Sequence, residues 1–234
     1  QILLVTTPRD YYVPIPGISG GQKDKLTHAG IYGIDASMRT LGQLYETDIN
    51  YYARLNFTSL IDIVDTLGGV DVYSELAFQT GKESGCIVDV QEGWNHLNGE
   101  QALAFSRERH ALADGDNQRG KNQQAVLTAM LRKCLSPTML LKAGTIMNQV
   151  SSEVETNLSQ AQINSLIKYQ LNKNATWTIQ SVAATGTNDK GYCYSSGDKL
   201  LFIMDPDEDV VQKIIDLANV VEEGGTLEDG ESLN

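Results

Sequence analysis

Three of the seven arginines in this 234-residue chain, Arg107, Arg109 and Arg119, fall within the stretch 105–124. A guanidinium never loses its charge and offers paired N–H donors in a flat fork, the geometry that grips phosphate oxygens. Arg107 and Arg109 are two apart. On a helix such residues point roughly 200° apart, whereas in an extended segment they face the same side. The spacing predicts that the helix after Asn98 ends near Ser106 and that the pair aims into one site. Asp114 and Asp116 repeat the two-residue step, and Asp116 is placed to cap a helix over about 117–135. That puts Arg119 in the first turn, with Gln123 one turn further along the same face. Backbone amides at a helix start, joined by guanidinium forks, suit phosphate. An arginine there opposes the helix dipole, so a ligand or a neighbouring carboxylate should hold it. The competing reading is a salt-bridge network with Glu108, Asp114 and Asp116, and this stretch alone does not separate the two.

A second constellation, Thr7-Pro8-Arg9-Asp10, follows the first strand-like run, Ile2 to Thr6. In open α/β sheets ligands sit beyond the carboxyl ends of strands, which is where Arg9 falls. A loop ion pair between Arg9 and Asp10 is the plainer alternative. Lys25 and His28, just before the first long helix, are candidates to close the same site. Other chemistries have no footing. His28, His96 and His110 are scattered without metal spacing, and there is no phosphate loop ending in lysine and hydroxyl, no dinucleotide fingerprint and no nucleophile elbow.

The elements needed to position these residues read as strand, helix, strand, helix, strand over the first seventy-odd residues, followed by a mostly helical half. Ile31, Ile34, Met38, Leu41 and Leu44 mark one face of a helix over about 29–45. Asn50 to Leu55 reads as strand, and Phe57 to Leu67 as a helix stopped by Gly68-Gly69. Asn98 with Gln101, and Ser159 with Gln162, resemble capping boxes. Further elements are expected as helices over 138–150 and 209–221, and as strands over 176–183 and 200–204. The formal charge is −12, but ten acids and one lysine lie from Asp205 onward, so the body is close to neutral. Direct nucleic-acid binding by this segment is not expected, since that affinity comes mainly from neutralising phosphates. No apolar run approaches the roughly 20 residues a bilayer span needs. The three cysteines fit no metal spacing, though Cys86 and Cys193 are candidates for a bridge in an extracellular setting.

Four ordered blocks carry a family resemblance: Thr7 to Asp10, Lys25 to Gly33, Phe57 to Val70, and Leu97 to Arg109 with Asp114 to Arg119. The chain resembles the extracellular domain of the LytR–CpsA–Psr family, especially its streptococcal capsule members. The resemblance implies an α/β/α layered fold, a central mixed β-sheet flanked by helices. It implies one catalytic domain over 1–221, lacking its N-terminal strand or strands, and an acidic tail over 222–234. The implied activity is a phosphotransferase on the outer face of the Gram-positive membrane, held there by an upstream anchor. It would move capsular polysaccharide from a polyprenyl (pyro)phosphate carrier to peptidoglycan, with pyrophosphatase as a possible side reaction. The alternative is a non-catalytic lipid-phosphate-binding or transcriptional regulatory protein of the capsule operon. By motif position the head group would meet Arg9, Lys25, Arg107, Arg109, Arg119 and Gln123, with Asp10 assisting the acceptor. Mg²⁺ is the implied cofactor, with its ligands expected upstream of residue 1. Many relatives carry a further arginine where this chain has Asn122. Activity rests on one expectation: that Arg9 joins Arg107 and Arg119 at the mouth of an apolar pocket.

Overall fold

The computed structural model describes residues 1–109, 115–150 and 152–232, with 115–117 as backbone alone. Spatial proximity divides the chain into two units. One is formed by residues 1–50 and 180–230, the other by 51–179 and the chain end from Glu231.

The first unit opens with β1 (Ile2–Thr6), as the apolar run predicts. β2 (Tyr12–Pro14) and β3 (Lys23–Lys25) then pair antiparallel from Tyr12↔Lys25 to Pro14↔Lys23, around the Pro- and Gly-rich loop. The helix expected over 29–45 arrives in three pieces: α1 (Leu26–Ala29), a 3-10 turn at Gly30–Tyr32, and α2 (Ile34–Leu44). Gly33, at φ 99°, makes the break, in a conformation open mainly to glycine. Ile31 thereby leaves the buried face its spacing assigned and is 68% exposed.

In the second unit β4 (Ala53–Arg54) is shorter than the strand expected there. α3 (Phe57–Thr66) is capped by Asn56, whose side chain accepts a hydrogen bond from the Ser59 amide at 2.9 Å. It stops, as expected, at Gly68 and Gly69, both at positive φ. β5 (Val70–Ser74) buries Val70, Val72 and Ser74 and exposes Asp71 and Tyr73, the alternation of a half-buried strand. After the short pair β6 (Phe78–Gln79) and β7 (Asp89–Val90), β8 (Gly93–Leu97) runs antiparallel to β5. α4 (Gly99–Arg107) begins with the expected capping box, the Gln101 and Asn98 amides each donating to the other's side chain at 3.0 Å. α5 (Gly115–Leu135) follows. The helix expected over 138–150 is broken into α6 (Pro137–Leu141) and α7 (Ala143–Val150). β9 (Glu155–Thr156) pairs with β4, and α8 (Gln160–Lys173) starts at the second capping box, on Ser159. Val64, Val70, Val72, Leu97, Ala102, Phe105, Val126 and Ala129 form this unit's core. Each fully buried valine or phenylalanine contributes roughly 1.5–3 kcal/mol.

β10 (Thr178–Ala183) leads back into the first unit, where β11 (Gly186–Tyr192) and β12 (Leu200–Pro206) form an antiparallel hairpin. The β11 sequence, Gly-Thr-Asn-Asp-Lys-Gly-Tyr, has little strand propensity; it is a strand because β12 pairs with it along its whole length. Tyr11 makes a parallel bridge to Met204, so strand directions in this unit are mixed. α9 (Glu208–Glu222) is capped by Asp207, which accepts from the Asp209 and Val210 amides, and two acids in its first turn suit the dipole. α9 buries Ile214 against Tyr11, Val13, Tyr45 and Ala184. In the acidic end of the chain Leu227 is buried, and β13 (Glu231–Ser232) pairs with the start of β10. All three cysteines are free thiols, so no bridge joins Cys86 to Cys193. Among the described residues no helix is long and apolar enough to cross a membrane.

α3 and α4 approach closely at Gly99, whose amide donates to Asp65 at 2.7 Å. A Cβ there would lie well inside contact distance of the Ile61 backbone. Gly99→Ala should therefore cost about 1–3 kcal/mol by overpacking, measured by urea unfolding. Asn98→Ala, which removes only a cap, should cost about 1 kcal/mol.

Candidate functional site

The candidate residues lie in both units. In the first, the turn after β1 closes with the Tyr11 amide donating to the Pro8 carbonyl. The carbonyls of Arg9 and Asp10 accept from Thr27 and Met204 at 2.8 Å each, so the backbone carrying Arg9 is pinned on two sides. Asp10 and Lys25 are drawn together: Lys25 Nζ lies 2.5 Å from Asp10 Oδ1, and both side chains are largely covered. Arg9 Nε is 3.6 Å from Asp10 Oδ2 and 76% of its side chain is exposed. Asp10 thus orients Lys25 and only loosely steers Arg9, whose outer guanidinium edge faces water.

One residue before Lys25, Asp24 is fully buried. Its Oδ1 accepts from the Lys25 amide at 2.7 Å and contacts His28 Nδ1 at 2.6 Å, and its Oδ2 accepts from the Ser195 amide at 2.8 Å. Burial alone would raise its pKa, but the bonds from Ser195, His28 and Lys25 outweigh that and hold the carboxyl below its ordinary value.

In the second unit, α4 ends at Arg107, and Glu108 is extended with ψ 133°. This agrees with the helix end predicted near Ser106. Glu108 turns inward and is 1% exposed. Its Oε2 accepts from the Gly81 amide at 2.6 Å and the Ser84 hydroxyl at 3.0 Å, and its Oε1 from the Arg109 amide at 2.9 Å. The middle residue of Arg-Glu-Arg is thus anchored inside, between a partly covered Arg107 and an exposed Arg109. Arg107 lies over the Phe57 ring at 4.7 Å and donates to the Glu83 carbonyl at 3.4 Å. The Arg109 amide, which would have met the Phe105 carbonyl in a continued helix, is spent on Glu108; Asn122 Nδ2 satisfies that carbonyl instead, at 3.0 Å. Asn122 is itself buried and accepts from Gln118. Asn122 thus closes the end of α4.

Arg119 and Gln123, four apart on α5, are both partly covered. The expected cap by the Asp116 side chain, and Asp114 as a counter-charge, lie outside the described residues. The spacing of Arg107 and Arg109 revealed the pair, but Glu108 read only as a counter-charge. Strict alternation along the extended segment is the signal that would have turned it inward. Phe57 and Asn122 gave no local signal.

A protein holding these basic clusters on this α/β frame is recognisable by comparison with known proteins. The LytR_cpsA_psr family model matches residues 1–204, and the chain belongs to that family. It is 36% identical over 160 residues to a Bacillus cereus protein named polyisoprenyl-teichoic acid–peptidoglycan teichoic acid transferase TagU, covering 68% of this chain and 50% of that one. The Oceanobacillus iheyensis protein of the same name is 29% identical over 83% of this chain and 60% of its own. The chain thus spans about half the length of the first of these relatives. Among solved structures it is similar to Bacillus subtilis TagV, with TM-score 0.74, 25% identity, and 95% of this chain and 84% of that one covered. It is also similar to a structure described as TagT bound to LI-WTA, with TM-score 0.67, 27% identity, and coverage of 92% and 76%. The fold is the mixed α/β fold of these domains, as the motif blocks imply.

The Mg²⁺ that the resemblance implies does not fit the described residues. Mg²⁺ takes oxygen ligands in near-octahedral array. Asp10 is committed to Lys25 and Arg9, and the one cluster of three potential ligands among the described residues combines Asp24 with an imidazole and a thiol. No catalytic step is routed through that ion here.

Glu108→Ala should destabilise the domain by about 1–3 kcal/mol, because the Gly81 amide and Ser84 hydroxyl lose their acceptor; denaturant unfolding measures it. Because the Asp24 pKa is depressed, its contribution to stability is complete above the ordinary value of 3.8 and is lost as pH falls through its lower native value. Thermal scans between pH 5 and pH 2 should show a shallower acid fall in Asp24→Asn than in the unsubstituted chain.

Proposed function

We propose that this domain transfers a glycopolymer from a polyprenyl (pyro)phosphate carrier to peptidoglycan on the outer face of the cell membrane, with capsular polysaccharide as the polymer. The observation that carries the reading is the Arg107-Glu108-Arg109 segment, where a buried carboxylate fixes the helix end between two arginines. The names of the relatives, teichoic acid transferases acting between a polyisoprenyl carrier and peptidoglycan, support the same class of reaction.

Phosphoryl transfer asks the protein mainly to neutralise non-bridging oxygens and to align the attacking hydroxyl. In the proposed reaction a peptidoglycan hydroxyl attacks the phosphorus next to the polymer. A new P–O bond forms, the bond to the carrier's own phosphate breaks, polyprenyl phosphate leaves, and the hydroxyl proton is released. Arg107, Arg109 and Arg119, with Gln123 as a neutral donor, grip the oxygens. Asp10 keeps Lys25 in place. Water in place of the sugar hydroxyl gives hydrolysis, the side reaction expected of such a site.

The test is equilibrium binding of an isoprenyl pyrophosphate to the unsubstituted chain and to Arg107→Ala and Arg119→Ala. Each lost charge-assisted bond is worth about 1.5–3 kcal/mol, so each variant should bind roughly 10- to 150-fold more weakly while its circular dichroism is unchanged. Folded Arg107→Ala and Arg119→Ala proteins that bind as tightly as the parent would overturn the reading.

A further inference from the structure

Asp24 and His28 have a third neighbour outside the phosphate-binding set. Cys193, just before the 3-10 turn Tyr194–Ser196, places its sulfur so that one donor atom each from Asp24, His28 and Cys193 lie within 4.8 Å of one another. Cys193 is 2% exposed, and the His28 side chain is largely covered. Ser195 Oγ adds an oxygen 2.9 Å from His28 Nδ1.

One familiar chemistry does not fit the geometry. In a Ser-His-Asp relay the imidazole meets serine and carboxylate through different ring nitrogens. Here the same Nδ1 faces both Asp24 and Ser195, so no proton can pass across the ring between them.

We propose that Asp24, His28 and Cys193 form a binding site for a zinc-class divalent cation, with carboxylate oxygen, imidazole nitrogen and sulfur as ligands and a fourth position open beside Ser195 Oγ. Sulfur and imidazole donors select borderline-soft ions over Mg²⁺ or Ca²⁺. The surroundings are those of a prepared site. The Lys25 and Ser195 amides fix the two carboxylate oxygens, as outer hydrogen bonds commonly orient a metal-binding carboxylate. On binding, the Cys193 thiol gives its proton to solvent, and the imidazole binds neutral through the Nδ1 lone pair. The ion then takes the place of the hydrogen bonds that now link the three side chains. It would clamp the 193–195 turn to the segment that carries Lys25. This site is independent of the transferase reading, so either can fail alone.

The experiment titrates the chelator-treated full chain with Co²⁺ and follows the near-ultraviolet thiolate-to-cobalt absorption. A band saturating at one equivalent is expected, displaced by Zn²⁺ and untouched by excess Mg²⁺. Cys193→Ala and His28→Ala should each weaken binding by about 100-fold or more, and a Cys86→Ser/Cys134→Ser chain should keep the band. X-ray absorption at the zinc edge on the unsubstituted, zinc-loaded chain should show one sulfur in the first shell, a readout that does not depend on any variant folding. Absence of the band, its survival in Cys193→Ala, or a shell of oxygen and nitrogen alone would each overturn the proposal.

Discussion

The inward turn of the Glu108 carboxylate is the constraint on which the second unit's candidate residues depend. A buried carboxylate is tolerated only when its oxygens are satisfied. Here the Gly81 and Arg109 amides and the Ser84 hydroxyl do this, and the bonds also fix where the chain leaves α4. Ending the helix frees the Phe105 carbonyl, which Asn122 closes from α5. The segment presenting Arg107 and Arg109 is therefore braced from the 81–84 turn and from the neighbouring helix, independently of any ligand.

The first unit uses acids in the same way. Asp10 and Asp24 bear no free charge to solution; each holds a segment that displays cations or hydrogen-bond donors. Asp10 fixes the Lys25 ammonium, and Asp24 fixes the backbone on which Lys25 is mounted. Removing a partner from such a carboxylate costs more than the bond itself is worth, because the remaining charge is stranded in a poorly solvated place. The sequence's acidic surplus near its end plays no comparable part in these clusters.

Much of this was legible along the chain because its causes are local. The capping boxes at Asn98 and Ser159 and the glycine stop at Gly68-Gly69 follow from residues within a few positions of one another. What escaped were features decided by distant partners. β11 is a strand because β12 pairs with it. Ile31 is the local exception: Gly33, two residues on, breaks a periodicity that otherwise reads as one helix. Glu108, Phe57 and Asn122 acquire their roles from residues 17 to 50 positions away. The metal-ligand cluster was missed for the same reason: Asp24 and His28 are one helical turn apart, but Cys193 joins them across most of the sequence.

The contact between Arg107 and Phe57 carries one more consequence. A guanidinium lying over an aromatic ring has its plane and position restricted before anything binds, yet its N–H edge stays available. Arginine side chains carry about 2 kcal/mol of rotamer entropy, and part of that freedom is already surrendered here to an exposed ring. Lysine would match the charge but not the flat contact, so this position discriminates between the two cations through shape rather than valence.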